Sequence, residues 1–393
     1  MSERAYLDWN ATAPLRPQAR AAVLAALEVV GNPSSVHGEG RAARSLIEQA
    51  RAQVAALVGA EPRNVTFTSG GTEANMLALT PALDDGSRRS CDRLLISAIE
   101  HPSVRSGGRF PSTAVDEVPV TADGVVNVAA LDARLRALAA EGLRPLVSVM
   151  HANNETGVVQ PVAQVAEAVH AAGGLLHVDA VQTAGRIPCD INELGADLVT
   201  LSAHKMGGPK GAGALVRRSA DLHLPDPLIK GGGQERGTRA GTENVAAIAG
   251  FGAAAEAARA GLSEEGARSA ALRRTLEEGL LAISPEAVIF GAGAERVPNT
   301  TLFAAPGAKA ETMVIAFDLA GVAVSSGSAC SSGKVTASHV LRAMGVDPEL
   351  ARGAVRVSLG PTMRETDIDM FLKTWTKLAE GLSKRRERSG LAA

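Results

Sequence analysis

The chain has 393 residues, 46% of them hydrophobic and 21% charged, with a formal net charge of −2. That length suggests two domains around sizeable cores, and the near-neutral charge argues against nucleic-acid or membrane-surface partners. No apolar run approaches the about 18 residues of a membrane span and the N-terminus lacks a signal-peptide core, so a reducing cytoplasm is the expected compartment. Cys91, Cys189 and Cys330 are widely separated. They provide neither a disulfide framework nor zinc-ligand spacing, and no resident metal is expected.

In chain order, Ala5-Tyr-Leu carries a short strand signal, and Asp8-Trp-Asn-Ala-Thr-Ala-Pro14 follows with no chemistry legible in its pattern. After a first helix, Gly31-Asn-Pro-Ser-Ser-Val-His-Gly38 is a loop, with His37 read as a turn residue. The next helix places Ala43, Leu46, Ile47, Ala50, Val54, Leu57 and Val58 on one face. Val65-Thr-Phe-Thr68 is a strand that runs through Ser69-Gly-Gly-Thr-Glu-Ala-Asn75 into a helix. Strand, glycine turn and helix start form an anion-binding layout, with free N–H groups near Gly71 and a hydroxyl on Thr72. An ordinary βα turn with an N-cap is the alternative, and the stretch matches neither a Walker A nor a dinucleotide fingerprint.

Leu94-Leu-Ile-Ser97 is a strand that ends near His101, a residue able to stack on a flat cofactor or move protons. Leu146-Val-Ser-Val-Met150 delivers His151-Ala-Asn-Asn-Glu-Thr-Gly157, where Asn154 can hydrogen-bond a ring substituent. A helix starts at Pro161 and ends at Gly173-Gly174. Asp179 closes the strand Leu175-Leu-His-Val-Asp179. An unpaired carboxylate there is costly, and a protonated ring nitrogen would serve as its partner, unless Asp179 is simply a helix cap.

Leu198-Val-Thr-Leu is a buried strand, and Ser202, His204 and Lys205 arrive together at its end before Gly207-Gly208. Ligands of open α/β sheets sit outside the carboxyl ends of strands. A lysine there can form a Schiff base while the hydroxyl and imidazole hold an anion; taken alone, Lys205 is an ordinary loop lysine. Ala212-Gly-Ala-Leu-Val-Arg217 is a further strand. The glycine-rich stretch from Gly231 to Asn244, carrying Arg236, Arg239 and Thr242, reads as mobile, closing over a site or donating groups to a neighbouring subunit. Val245 to about Ala260 reads as a packed helical connector between domains.

The remainder has its own α/β signals. Ala287-Val-Ile-Phe290, Asn299-Thr-Thr-Leu-Phe303, Val322-Ala-Val324 and Ala354-Val-Arg-Val-Ser358 are candidate strands. A last helix starts at the capping box Thr362-x-x-Glu365 and buries Ile368, Phe371, Leu372, Trp375 and Leu378, ahead of a charged, frayed tail. Cys330 stands among Ser, Gly and Ala, the setting of an exposed loop and of a nucleophile that must move. Arg356, in an alternating strand, could bind a substrate carboxylate through its planar fork, or simply reach solvent.

As a set, Gly31-Asn-Pro-Ser-Ser-Val-His37, Ser69-Gly-Gly-Thr-Glu-Ala-Asn75, His151-Ala-Asn-Asn-Glu155, Val178-Asp-Ala-Val-Gln182, Ser202-Ala-His-Lys205, Gly237-Thr-Arg-Ala-Gly-Thr242 and Ser325-Ser-Gly-Ser-Ala-Cys330 resemble the cysteine desulfurases. These are fold-type-I, class-V aminotransferase-family enzymes dependent on pyridoxal 5′-phosphate, and the resemblance covers nearly the whole chain. The long stretch after Cys330 resembles the group serving nitrogenase and general iron–sulfur cluster assembly. The resemblance implies an α/β fold. Its large domain, residues 13–260, is built on a mostly parallel seven-stranded sheet, and its small domain, residues 1–12 and 261–393, carries the cysteine loop at about 325–338. It also implies a homodimer.

By the same resemblance Lys205 would hold the cofactor and move the α-proton. Asp179 would pair with the ring nitrogen, Gln182 with the ring oxygen, and His101 would stack on the ring. Gly71, Thr72, Ser202 and His204 would hold the phosphate, with Thr242 reaching it from the other subunit. Asn154 would position ring and substrate, and Arg356 would bind the cysteine carboxylate. L-Cysteine would become L-alanine while Cys330 takes its sulfur as a persulfide for an acceptor protein such as an iron–sulfur scaffold; Cys330 could also ligate a cluster transiently. Gly70-Gly71 stands where many relatives carry Gly-Ala, and the C-terminal tail does not resemble that of the housekeeping enzymes, which leaves the acceptor open. An aminotransferase, a selenocysteine lyase and a sulfur-relay protein without turnover are the rival readings. Cys330 argues against the first, since transamination needs no thiol.

Overall fold

The structure, a computed structural model, describes residues 4–87, 89–327 and 338–388, with side chains to 383. The expectations for Cys330 and the loop after it lie outside the described residues. The chain begins with the short strand Ala5–Tyr6 (β1) and the helices Pro17–Leu27 (α1) and Gly38–Leu57 (α2). Seven strands follow: Val65–Thr68 (β2), Arg93–Ser97 (β3), Val115–Val118 (β4), Pro145–Met150 (β5), Leu175–Asp179 (β6), Leu198–Ser202 (β7) and Gly213–Arg217 (β8). Between them lie Gly71–Ala78 (α3), Pro102–Arg105 (α4), Val128–Ala140 (α5) and Val162–Ala171 (α6). They form one sheet in the order β2-β8-β7-β6-β5-β3-β4. Neighbours from β7 to β4 are parallel, whereas β8 runs antiparallel to both β7 and β2. Every residue of β5, β6 and β7 is buried, as expected for parallel strands covered on both faces, where continuous apolar runs replace alternation.

The helix read as a connector ending near Ala260 continues without interruption as Val245–Ile283 (α7), 39 residues. Nothing in Gly261-Leu-Ser-Glu-Glu-Gly266 breaks it, because its next apolar face, Leu272, Leu276 and Leu280, finds a second core. Ala247, Phe251, Ala254 and Ala258 belong instead to the core under the large sheet. By length and composition α7 could cross a membrane, yet half of its most apolar stretch is buried, and it packs along α1 and α2 as a core helix. Beyond it come Val288–Ile289 (β9), Thr300–Ala304 (β10), Ala310–Leu319 (α8), Val322–Ala323 (β11), Ser325–Ser326 (β12), His339–Ala343 (α9), Pro348–Ala351 (α10), Val355–Ser358 (β13) and Glu365–Arg388 (α11). β12, β13, β10 and β9 make an antiparallel sheet, and β1 pairs in parallel with β11. Phe303, Phe317, Phe371 and Trp375 interlock over this second core, Phe317 stacked on Phe371 at 4.9 Å and Phe303 edge-on to Trp375 at 5.1 Å.

Two local readings need correction. The last helix does not begin in a Thr362 capping box. It starts at Glu365, and Asp367 reaches back to accept the backbone N–H of Arg364 at 2.8 Å, so the acid one turn in is Asp367. That helix also continues to Arg388 through much of the stretch read as a frayed tail. The segment from Gly231 to Asn244, read as mobile, is anchored. Glu235 and Arg236 hold left-handed backbone, φ 46° and 56°, at a cost of order 1 kcal/mol or more each. Arg51 holds Glu235 there through two hydrogen bonds of 2.7 and 2.8 Å, and Glu235 also accepts the Phe67 N–H of β2 at 2.9 Å. Arg239 bridges Glu73 and Ser69 at the start of α3.

Both partners of the Arg51–Glu235 pair are buried. Removing one leaves the other charged and desolvated, so Glu235→Gln is expected to lose about 3 kcal/mol or more of stability, read from the urea midpoint. A midpoint equal to the wild type's would reduce the pair to the worth of a surface salt bridge.

Candidate active site

The register of the parallel strands assembles the site. Met150 of β5 stands beside Asp179 of β6, and Asp179 beside Thr200 of β7, so the residues that follow emerge at one edge of the sheet. There Asn154, Asp179, Gln182, Ser202, His204 and Lys205 meet Gly71 and Thr72 of α3, His101 from the turn after β3, and Arg356 of β13 around a cavity of about 310 Å³. Ten of the twelve residues proposed from sequence thus converge. Thr242 is exposed and lies outside this cavity. Cys330 lies outside the described residues.

Asp179 accepts Asn75 Nδ2 at 2.8 Å and the Val181 N–H at 3.0 Å. Asn75 also donates to Ser103 Oγ at 2.9 Å, and Ser103 Oγ is 2.8 Å from His101 Nδ1. The Ser103 backbone N–H donates to the same Nδ1 at 3.2 Å. A backbone N–H can only donate, so Nδ1 is an acceptor and the neutral ring carries its proton on Nε2. Burial holds His101 below the usual imidazole range; Asp179 opposes this, and Lys205 adds to it.

Lys205 Nζ donates to the carbonyls of Asn10 at 2.6 Å and Ala11 at 2.9 Å. His204 Nδ1 meets Thr12 Oγ1 at 2.9 Å, and burial, with Lys205 and other cations nearby, pushes its ring down to about 4, so it is neutral near pH 7. A Cβ on Gly71 would stand 3.1 Å from Val181 Cγ2 and 3.4 Å from Ser202 Cβ. Glycine therefore lets the start of α3 lie close against Ser202. Arg356, 2% exposed, donates to Asp8 Oδ1 at 2.8 Å and the Asn154 carbonyl at 2.9 Å, and its buried Nε has no acceptor among the described residues.

A carboxylate under one part of the cavity, a lysine amine in it, a close-approach helix start and an arginine with an unmet donor fit pyridoxal 5′-phosphate, whose basic ring nitrogen and anionic phosphate need opposite partners. Sequence reasoning passed over Asn10, Asn75, Ser103 and Arg186. Asn75 belonged to a quoted motif and stands one helical turn from Thr72, a spacing that could have flagged it. Asn10 gave no local signal at all.

Glu100, next to His101, was also missed. Its side chain is fully buried; Oε1 accepts Ser97 Oγ at 2.6 Å and the Met150 N–H at 2.7 Å, and Oε2 has no partner among the described residues. Burial is the main cause that pushes this carboxyl up to about 8.

Such a fold and such a site define a fold-type-I enzyme dependent on pyridoxal phosphate. The model of the class-V aminotransferase family matches residues 5–371. The chain is 44% identical over 388 residues to a cysteine desulfurase of Cereibacter sphaeroides, covering 97% of each chain. It is 38% identical over 398 residues to an IscS-like cysteine desulfurase of Mycobacterium tuberculosis, covering 99% of this chain and 98% of that one. Among solved structures, a NifS-like protein from Rickettsia africae superposes with a TM-score of 0.86 at 36% identity, covering 96% of this chain and 100% of that one. The chain belongs to the class-V aminotransferase family, among its NifS/IscS-like cysteine desulfurases.

The Glu100 carboxyl makes a pH-dependent prediction. Folded, it stays neutral up to about pH 8, whereas its ordinary value is 4.5. Its contribution to stability is therefore whole below 4.5 and is lost as pH rises through 8. Glu100→Gln keeps the acceptor oxygen and removes the titration. Its melting temperature is expected to gain on the wild type's at pH above 8 and not near pH 5, by calorimetry in matched buffers. An equal offset at both values would show that Glu100 ionises normally.

Proposed function

We propose that the protein converts L-cysteine to L-alanine and takes the sulfur onto Cys330 as a persulfide, from which an acceptor protein such as an iron–sulfur scaffold receives it. The observation that carries this reading is the meeting of Lys205, Asp179, His101 and the buried Arg356 around one cavity. Bound pyridoxal phosphate supplies an electron sink for the carbon that loses its proton. Lys205 would hold the cofactor, and its amine would move the α-proton. Asp179, oriented by Asn75, keeps the ring nitrogen protonated. Gln182 would donate to the ring oxygen, and His101 would cover the ring, its Nε2 proton available for transfer. Gly71, Thr72, Ser202 and His204 hold the phosphate, joined by Thr242 from a second copy of the chain; its exposure and its distance from its own cavity suit that part.

Arg356 receives the substrate carboxylate while Asn154 positions substrate and ring. The fork already spans Asp8 and the Asn154 carbonyl, so a carboxylate bound there shares it with Asp8. The Cys330 thiolate then bonds to the substrate sulfur as the sulfur–carbon bond breaks, and that electron pair stays with carbon, which takes a proton to give alanine. Cys91 and Cys189 do not compete for this role. Both are buried, and burial pushes each thiol up to about 12. The two domains, 13–260 and 1–12 with 261–393, meet within α7, and a reducing cytoplasm suits a persulfide carrier.

Purified wild type is expected to be yellow, to lose that colour on borohydride reduction, and to release alanine from L-cysteine while a persulfide appears on the protein. Cys330→Ser keeps the cofactor absorbance and makes neither product; Lys205→Ala makes neither and loses the borohydride-sensitive absorbance. Alanine released by Cys330→Ser at the wild-type rate would remove Cys330 as sulfur acceptor and favour a lyase.

A further inference from the structure

Arg186 is a half-buried cation with no acid among its hydrogen-bond partners in the described residues. Its Nη1 donates to Asn10 Oδ1 at 2.8 Å, Gln182 Oε1 at 2.6 Å and the Gln182 carbonyl at 3.1 Å, and its Nη2 to the carbonyls of Lys205 at 3.1 Å and Trp9 at 3.4 Å. All five acceptors are neutral. Glu265, which lines the same small cavity as Arg186, is engaged with Arg16. Burial, with Arg356 adding to it, pushes the guanidinium down to about 9. A partly desolvated charge held only by neutral acceptors is costly to fold, so its place beside the lysine calls for a function.

Two consequences follow from the geometry. A guanidinium only donates, so the Gln182 amide must present Oε1 to Arg186 and Nε2 to the other side. Nε2 spends one proton on the Asn10 carbonyl at 3.2 Å, and Gln182 lines the cavity, where its second proton has no acceptor among the described residues. The same Asn10 carbonyl accepts Lys205 Nζ at 2.6 Å, so one residue's two oxygens separate the guanidinium from the amine. The other titratable or charged groups lining the cavity are Asp179, His101, His204 and Arg356.

We propose that Arg186 is a positioning residue of the cofactor site: it locks the Gln182 amide with an N–H towards the cavity and keeps an unbalanced positive charge behind Lys205. It touches neither substrate nor the reacting atoms. The inference rests on the reading of Lys205 as the residue that binds pyridoxal phosphate. A positive charge and a hydrogen bond to the ring oxygen both favour loss of the proton from the nitrogen joining Lys205 to the cofactor.

The test is a spectrophotometric pH titration of the holoenzyme without substrate. Arg186→Gln, which removes the charge and can release the Gln182 amide, is expected to raise the midpoint by about one pH unit, a tenfold change in proton affinity. Arg186→Lys, which keeps the charge, should move it less than half as far. A midpoint in Arg186→Gln equal to the wild type's overturns the proposal. If that variant does not fold, the wild type alone decides: its midpoint must lie below that of the imine formed in water from pyridoxal phosphate and a free lysine amine, and a midpoint at or above that value overturns the proposal. A wild type with no borohydride-sensitive absorbance overturns the cofactor site itself, a failure distinct from any in Arg186.

Discussion

Asn10, 1% exposed, is the residue on which the two cores and the site together depend. Its carbonyl takes Lys205 and Gln182, and its Oδ1 takes Arg186 and Asn299 Nδ2. Its Nδ2 donates to Thr300 Oγ1 and the Asn154 carbonyl, and its backbone N–H to Ser358 Oγ. A buried amide is tolerated only when its donors and acceptors are met, and here the partners come from the ends of β5, β6 and β7 on one side and from β10 and β13 on the other. The N-terminal segment is thus the polar joint between a parallel sheet and an antiparallel one, and the cavity lies at that joint.

Charge around the cavity is unbalanced in one direction. Among the described residues Asp179 is the carboxylate that lines it and Asp8 pairs with Arg356, against Lys205, Arg356 and, behind them, Arg186. His101 and His204 are held below the usual imidazole range by burial, so they add hydrogen-bonding capacity near neutral pH without adding more charge. That excess of cation suits a ligand pair carrying two anionic groups, a phosphate and a carboxylate, and the lone carboxylate suits a basic ring nitrogen. The order of polar partners matters as much as the charge. Asn75 links Asp179 to Ser103 and so to His101, a chain in which each donor direction is set by a group that can only donate.

Much of this was legible in the sequence because it is written in local pattern. Continuous apolar runs marked the buried strands, and polar residues clustered where those runs stop, which located Asp179, Ser202, His204 and Lys205 at strand ends. Gly71 was legible as a close-approach glycine from its place between strand and helix. Where a signal depends on what a side chain packs against, the reading failed. Val245 to Ala260 read as a connector because its apolar face changes partners near there, and only the second core shows that the helix runs on to Ile283. Glycines made the stretch from Gly231 to Asn244 read as loose, whereas Arg51, 184 residues from Glu235 in sequence, anchors it.

By itself, then, the sequence determined the strand–turn–helix rhythm, the polar strand ends and the residue types that mark the family, because each depends on neighbours within a few positions. Only the tertiary structure decided which polar groups share partners: Asn10 with Lys205 and Arg186, Asn75 with Asp179, Arg356 with Asp8. Those pairings join residues far apart in the chain. Their geometry follows from strand register and from the packing of one core against the other, and their cost or benefit exists only once water has been excluded.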